Sequence, residues 1–143
     1  MSPSTCLASP PASSTTRPIG RTYSADAPPT LAATRWRDVW ERGWREHETA
    51  EILSLYAEGA TLQSHPFREP VAPAEYIDPT FGEEVSAECW FGEPLVDGDR
   101  AAVEWSAETR LKDGGTEKLA GISFLRFDEE GLVVEQRDFW AGG

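Results

Sequence analysis

The sequence is poor in the residue types that most often build metal centres and covalent active sites. Its 143 residues include two cysteines, two histidines and one methionine. Two cysteines, Cys6 and Cys89, are too few for a disulfide framework. Together with His47 and His65 they show none of the paired spacings that zinc sites use. No phosphate-binding loop, dinucleotide fingerprint or Ser-His-Asp signature occurs, so we expect no metal and no cofactor.

Positive charge and long apolar runs are also scarce. Only 13 Lys and Arg residues oppose 25 Asp and Glu residues, which gives a formal net charge of −12. Such a chain repels the phosphate backbone, so we expect no nucleic-acid partner. No run of 18 or more apolar residues predicts a membrane span, and no apolar stretch indicates a secretory signal. These features favour one domain in the cytoplasm.

The first thirty residues differ in composition from the rest. Residues 1–30 contain six Ser, six Pro, five Thr and four Ala. Because this segment has little apolar surface to bury, folding would not offset its loss of conformational entropy. We predict a disordered tail over 1–30 and a domain over 31–143. The Ser-rich, acid-poor tail is also loosely typical of a transit peptide, although Arg17 and Arg21 are its only basic residues.

Helical periodicity begins directly after this tail. Four apolar residues at spacing i, i+3, i+4 and i+8 predict an amphipathic first helix: Trp36, Val39, Trp40 and Trp44. Thr30 or Thr34 could cap its start. We predict a second helix over about 49–57, with Tyr56 in its last turn. A short third helix is predicted over 73–77, and Pro79 ends it.

The remainder of the chain alternates as β-strands do. Asp-Gly and Gly-Gly turn signals separate apolar-polar runs, which pair as hairpins. The predicted strands are 60–65, 85–96, 101–111, 118–127 and 132–140. Helices followed by hairpins indicate an α+β fold, with three N-terminal helices packed on one side of a curved, mostly antiparallel sheet. A sheet that curls around helices on one face forms a cone, and the apolar mouth of that cone is a natural ligand pocket.

This order resembles the NTF2-like superfamily, and its nearest branch resembles the SnoaL-like, polyketide cyclase-like domains. The resemblance covers about 31–140 and rests on Trp40 and on three segments: "LYAEGATLQSHPF" at 55–67, "FGEPLVDGDRAAVEW" at 91–105 and "LAGISFLRFDEEGLVVEQRDFW" at 119–140. It implies a cone-shaped fold. It implies no single function, because this fold hosts isomerases, epoxide hydrolases, cyclases, dehydratases and non-catalytic binding modules.

Asp138 is the first candidate for chemistry. It lies in "EQRDFW" on the last predicted strand, where cyclases of this type place an acidic base. Between Phe139 and Trp140 its carboxylate could be partly desolvated, which strengthens a base that removes a proton next to a carbonyl. The alternative is a structural salt bridge to Arg126 or Arg137. Strand parity decides between them, and we favour the parity that turns Gln136, Asp138 and Trp140 toward the pocket.

Two further residues could assist this base. His65 follows the first strand and could act as an acid, a base or a donor to a developing enolate; the alternative is a loop histidine bonded to backbone. Tyr56 could donate its hydroxyl to a substrate oxygen, as a tyrosine does in isomerases of this fold. Its alternative is a core tyrosine with the hydroxyl at the rim. His47, among charged neighbours, is interpreted as a solvated helix end.

Large aromatic side chains could form the wall of the pocket. The expected lining residues are Trp40, Trp90, Trp105, Phe124, Gln136 and Trp140, although each aromatic could instead belong to an ordinary core. An open cavity of roughly 300 Å³ or more containing Asp138 favours an enzyme, and a cone filled by aromatic rings favours a binding module.

Two functions therefore remain open. One is a cofactor-independent cyclase or isomerase for a small apolar metabolite with a carbonyl group, in which Asp138 moves a proton. The other is a non-catalytic ligand-binding or protein-interaction module. Either is expected to form a homodimer, because pairing covers the free face of a single-layer sheet.

Overall fold

The computed structural model describes residues 28–143. Three helices occupy its first half: α1 (Pro29–Glu46), α2 (Thr49–Leu53) and α3 (Pro73–Gly82). Six strands form one sheet: β1 (Tyr56–Gln63), β2 (Glu84–Phe91), β3 (Leu95–Asp97), β4 (Arg100–Leu111), β5 (Thr116–Phe127) and β6 (Val133–Gly142). The predicted α+β fold, with helices packed on a curved and mostly antiparallel sheet, is confirmed.

Helix α1 buries the tryptophan stripe that the sequence predicts. Its N-cap residue is Pro28, and no side chain caps it, so neither Thr30 nor Thr34 has the expected capping role. The helix therefore includes residues 29–30, which we had assigned to the tail, while the predicted disorder of residues 1–27 lies outside the described residues. Gly43 faces α2: a Cβ there would lie 2.7 Å from the Ile52 side chain, so glycine permits the two helices to approach.

Two helix boundaries differ from the prediction. Helix α2 ends at Leu53, and Tyr56 opens β1 where it pairs in parallel with Val133. This pairing joins segments far apart in sequence, and such contacts override the helical spacing of residues 49–57. Helix α3 continues past Pro79 to Gly82, with its last turn held by the buried side chain of Phe81.

The sheet has the strand order β1-β6-β5-β4-β2, and β3 also pairs with β4. Among the strand pairs of residues 28–143, β1 and β6 run parallel and the others are antiparallel. The predicted strand 85–96 is two strands, because the chain leaves the ladder at residues 92–94 between β2 and β3. Within residues 28–143, no helix is long and apolar enough to cross a bilayer.

Strand register gives the sheet two chemically different faces. On the inner face, which the helices cover, Ser123 lies opposite Asp138, and Trp105 lies opposite Gly121. On the outer face, Ile122 lies opposite Phe139. A Cβ on Gly121 would lie 2.3 Å from the Phe139 carbonyl oxygen, so this inner-face position excludes every side chain. The inner face therefore positions the candidate site.

Candidate functional site

A cavity of about 210 Å³ lies between the helices and the inner face of the sheet. Five tryptophans line it: Trp36, Trp40, Trp44, Trp105 and Trp140. Its polar lining includes Asp138, Ser123, Gln136, Tyr76, Glu84 and Arg68. The cavity contains Asp138, but its volume is below the roughly 300 Å³ at which typical ligand pockets begin. The cavity therefore suits a small ligand. Of the two features expected of an enzyme, it has Asp138 in its wall but not the expected volume.

The Asp138 carboxylate is buried in the wall of this cavity, with 8% of the residue exposed. Its Oδ1 accepts hydrogen bonds from Ser123 Oγ at 2.7 Å and from Gln136 Nε2 at 3.0 Å. Its Oδ2 lies 3.3 Å from the same Gln136 nitrogen. Burial raises the pKa of Asp138 from 3.8 to about 6, and the two donors oppose part of that rise. The group is thus a stronger base than an exposed aspartate.

Within residues 28–143, no arginine pairs with this carboxylate. Among the described residues, Arg126 pairs with Glu135 at 3.5 Å, and Arg137 lies over the rings of Phe124 and Phe139. These side chains lie on the outer face of the sheet. Because neighbouring residues of a strand point to opposite faces, Arg137 on β6 points away from the face of Asp138. The alternative of a salt bridge from Asp138 to Arg126 or Arg137 is therefore wrong.

A network of indole and phenol donors fixes the orientation of Gln136. Trp36 Nε1 donates to Gln136 Oε1 at 3.2 Å, and the Tyr56 hydroxyl donates to the same oxygen. An indole N–H can only donate, so this amide oxygen must face Trp36, and its NH₂ group must face the carboxylate. Trp105 Nε1 likewise donates to Ser123 Oγ at 3.0 Å, which leaves the serine proton for Asp138.

Tyr56 is near the site but is not among the residues lining the cavity. Its hydroxyl donates to Gln136 and accepts from Trp40 Nε1 at 3.0 Å. Burial also raises the pKa of Tyr56. Its single proton is committed to the protein, so the arrangement makes Tyr56 a positioning residue for Gln136 rather than a donor to a ligand.

His65 lies in the turn after β1, outside the cavity lining. Its ring packs edge-on against Trp140, with centroids 5.0 Å apart. Its Nδ1 faces the backbone N–H of Phe67 at 3.4 Å. The structure thus brings Asp138 and Tyr56 together through Gln136, and places His65 behind a residue of the wall.

Four of the six expected lining residues line the cavity, and two do not. Trp40, Trp105, Gln136 and Trp140 are in the wall. The expectation is wrong for Trp90 and Phe124, because strand parity places them on the outer face: Trp90 lies opposite Ser106, and Phe124 lies opposite Ala102 and Arg137.

Tyr76 is a functional candidate that the sequence alone did not indicate. It lies on α3, lines the cavity, and has no hydrogen-bond partner for its hydroxyl within residues 28–143. Burial raises the pKa of Tyr76 to about 12, so the hydroxyl stays protonated and able to donate. Tyr76 lies within the predicted helix 73–77, but helical spacing alone did not indicate that its ring lines a cavity.

Glu84 is a second buried carboxylate in the same wall and was also missed. Trp44 Nε1 donates to its Oε1 at 3.0 Å, and burial raises its pKa. His47, expected at a solvated helix end, is instead stacked on Phe81 at 4.7 Å, with Nε2 3.5 Å from Glu84 Oε1. The positive φ of His47 turns the chain at the end of α1 and brings its ring to this position.

The part of the chain that the structure describes has no group of three or more His, Cys, Asp or Glu residues that could hold a metal ion. The cavity wall does contain a buried carboxylate, Asp138, and a protonated hydroxyl, Tyr76. Together they could remove a proton next to a carbonyl and stabilise the negative oxygen that results.

Comparison with known proteins places the chain among small cone-shaped domains. The family model described as "SnoaL-like domain" matches residues 33–136. The match ends two residues before Asp138, so it carries no information on that residue. No curated protein matches the sequence.

Several solved structures share the fold at low sequence identity. An NTF2-like protein of unknown function from Exiguobacterium sp. 255-15 has 15% identity and a TM-score of 0.65 over 77% of this chain and 98% of its own. The epoxide hydrolase/cyclase-like enzyme SalBIII, of pyran ring formation in the polyether salinomycin, has 18% identity and a TM-score of 0.66 over 79% and 90%. A Mycobacterium tuberculosis protein, solved with estradiol-17β-hemisuccinate, has 17% identity and a TM-score of 0.65 over 80% and 95%.

Proposed function

This chain belongs to the SnoaL-like domain family, and from that premise we propose that it binds a small apolar metabolite with a carbonyl group and converts it by proton transfer, without a cofactor. The reaction would be a cyclisation or an isomerisation. The structural neighbours that act on a polyether precursor or hold a steroid ester support an apolar ligand. The volume of about 210 Å³ favours a ligand smaller than a steroid.

The observation that carries this proposal is the environment of Asp138. A carboxylate with a pKa of about 6 is ionised at neutral pH, yet it is a stronger base than an exposed aspartate. Ser123 and Gln136 hold its Oδ1, which leaves Oδ2 as the atom for the substrate proton. Asp138 would take a proton from the carbon next to the carbonyl and return it at another position.

Tyr76 supports the second half of this reaction. When a proton leaves the carbon, negative charge develops on the carbonyl oxygen, and a donor aimed at that oxygen lowers the barrier. The Tyr76 hydroxyl is free to donate, whereas that of Tyr56 is committed to Gln136. We therefore assign the donor role to Tyr76, give Tyr56 a positioning role, and propose no contact of His65 with the ligand.

The proposal can be tested without knowing the natural substrate. The full chain is incubated in D₂O with 1-indanone, a small flat ketone, and loss of its α-protons is followed by NMR. We expect exchange above the buffer rate, with a rate that rises as the pH passes through about 6, because the base must be ionised. Asp138→Asn should lower the enzymatic rate by about 10²-fold or more, and Tyr76→Phe by about 10²-fold.

Glu104→Gln is the matched control, since it removes one exposed carboxylate from the opposite face. It should leave the exchange rate unchanged. No exchange above buffer in the unaltered chain, or equal exchange in Asp138→Asn, would remove the catalytic proposal and favour a binding module.

A second candidate function rests on the outer face of the sheet. Ile122, Phe124 and Phe139 are each more than a third exposed there, where strand alternation usually places polar residues. The candidate is a non-catalytic module that binds a ligand or another protein. On either function we propose a homodimer through this face, because a second copy would cover these rings. A cytoplasmic location stays a prediction from composition.

A further inference from the structure

Two buried carboxylates of the cavity have no lysine or arginine partner among residues 28–143. Glu84 is 7% exposed and Asp138 is 8% exposed. Within the described part of the chain, the one basic group at ion-pair distance from either is His47, whose Nε2 lies 3.5 Å from Glu84 Oε1 without forming a hydrogen bond. Buried carboxylates are normally paired with a cation or a full set of donors. In the described segment, the indole N–H of Trp44 is the one donor that forms a hydrogen bond with Glu84.

The wall of the cavity offers few hydrogen-bond donors to a ligand. Each of its five indole N–H groups donates to an acceptor of the protein, on Gln136, Tyr56, Glu84, Ser123 and Ser64. The indoles therefore present their rings and not their N–H groups.

The polar atoms left for a ligand are mostly acceptors. They include Glu84 Oε2, which has no hydrogen bond within residues 28–143, and Asp138 Oδ2, which has one long contact of 3.3 Å. The donors left are the Tyr76 hydroxyl and the exposed guanidinium of Arg68, which stacks over Trp140. A cavity with many rings, free carboxylate oxygens and few donors complements a ligand that carries positive charge.

Aromatic faces and a carboxylate together form the environment that proteins use for organic ammonium groups. Trp44 links a carboxylate to the aromatic rings of the cavity wall. It bonds to Glu84, and its ring lies 5.7 Å from Trp105 and 6.3 Å from Phe91. Asp138, on β6, belongs to a different strand from Glu84, at the start of β2.

We propose that the ligand of this cavity carries a protonated or quaternary amine, and that Glu84 is the residue that selects for it. This deepens the proposed function, on which it rests for the cavity and the carbonyl; the metabolite would be apolar apart from that carbonyl and one cationic nitrogen. Asp138 and Tyr76 would act on the carbonyl, while Glu84 and the ring of Trp44 hold the cationic nitrogen.

The test compares choline with 3,3-dimethylbutan-1-ol, in which an uncharged carbon replaces the quaternary nitrogen. Binding to the full chain is followed through the indole N–H resonances in ¹H–¹⁵N NMR spectra, with Trp44 assigned from its absence in Trp44→Phe. We expect choline to shift the Trp44 resonance and to bind at least about tenfold more tightly than the alcohol. This comparison uses the unaltered chain and is independent of how any variant folds.

Glu84→Gln keeps the shape of the side chain and its acceptor for Trp44, and should weaken choline binding about tenfold while leaving binding of the alcohol unchanged. Glu104→Gln, on the outer face, is the matched control and should change neither. Equal affinity for the two probes, no binding of choline, or equal losses in the two variants would overturn the proposal. If the unaltered chain causes no proton exchange in 1-indanone but still binds choline more tightly than the alcohol, the catalytic function alone is refuted.

Discussion

Asp138→Asn is predicted to make the protein more stable at neutral pH, although it removes the proposed catalytic base. Asparagine has the shape of aspartate but no charge. Both short hydrogen bonds to Asp138, from Ser123 and Gln136, end on Oδ1, and the carbonyl oxygen of asparagine can accept both. The new NH₂ group would occupy the position of Oδ2, where it would face the Gln136 Nε2 donor at 3.3 Å, and this loss offsets part of the gain. The substitution therefore removes a buried charge and keeps the packing.

The magnitude follows from the pKa of the buried carboxyl. Burial raises this pKa from 3.8 to about 6, which is about two units. Each unit corresponds to about 1.4 kcal/mol, so ionised Asp138 costs the folded state up to about 3 kcal/mol at pH 7. Because the asparagine side chain does not ionise, the variant should be more stable at pH 7, with that figure as the upper limit of the gain.

The sign of the pH dependence provides a sharper check than the magnitude. Between pH 4 and 6 the folded chain keeps the proton that the unfolded chain has lost, so the contribution of Asp138 to stability declines as the pH rises. Below about pH 4 the residue is protonated in both states, and the pH-dependent part of the difference between wild type and Asp138→Asn should vanish. The difference should grow through this range and level off above about pH 7.

The free energy of unfolding is measured by urea denaturation at several pH values for both proteins. Asp78→Asn, an exposed position on α3, is the matched control and should show little difference at any pH. A variant that is no more stable than wild type at pH 7, or a difference that does not depend on pH, would refute the burial argument for Asp138.

Three further predictions concern the support of the site and the assembly. Gly121→Ala should destabilise the fold by about 1–3 kcal/mol or more in urea denaturation, because its Cβ would lie 2.6 Å from Trp140 Cβ and closer still to backbone; an unchanged midpoint would contradict that geometry. Ser123→Ala removes a donor to Asp138 and should raise the pKa of that carboxyl further, seen as a higher pH midpoint in ¹³C NMR; a lower midpoint would count against the hydrogen bond. Phe124→Arg should convert the proposed dimer to a monomer in size-exclusion chromatography with light scattering, and a wild-type monomer at micromolar concentration would exclude the dimer.

Periodicity sufficed to predict the fold and the inner-face parity of the last strand. Trp36, Trp40 and Trp44 recur at helical spacing, so the buried face of α1 follows from local sequence. For β6, either the odd-numbered or the even-numbered residues could face the helices. The two choices differ in the number of charged side chains that would be buried. The structure has the one that turns Asp138 inward, because the other would bury Glu135 and Arg137 together.

The parts that the sequence did not predict depend on contacts distant in the chain. The apolar spacing of residues 49–57 predicts a helix that includes Tyr56. The strand pairing of Tyr56 with Val133 joins distant segments and leaves no local signal. Trp90 and Phe124 are expected in the wall because the chain has more large rings than a small core needs, whereas their strand register decides which face they occupy. Glu84 precedes the predicted strand by one residue, and Tyr76 reaches the cavity through the packing of α3 against distant strands, so neither position has a local signal.

The most direct measurement is a ¹³C NMR titration of the Asp138 side-chain carboxyl, assigned by its absence in Asp138→Asn. If this carboxylate is buried in the cavity wall without a cationic partner, its midpoint lies at about 6, and it moves when a ligand occupies the cavity. A midpoint near 4 that does not respond to any ligand would mean that the carboxylate is solvated, and neither the proposed proton transfer nor the cavity-based function would stand.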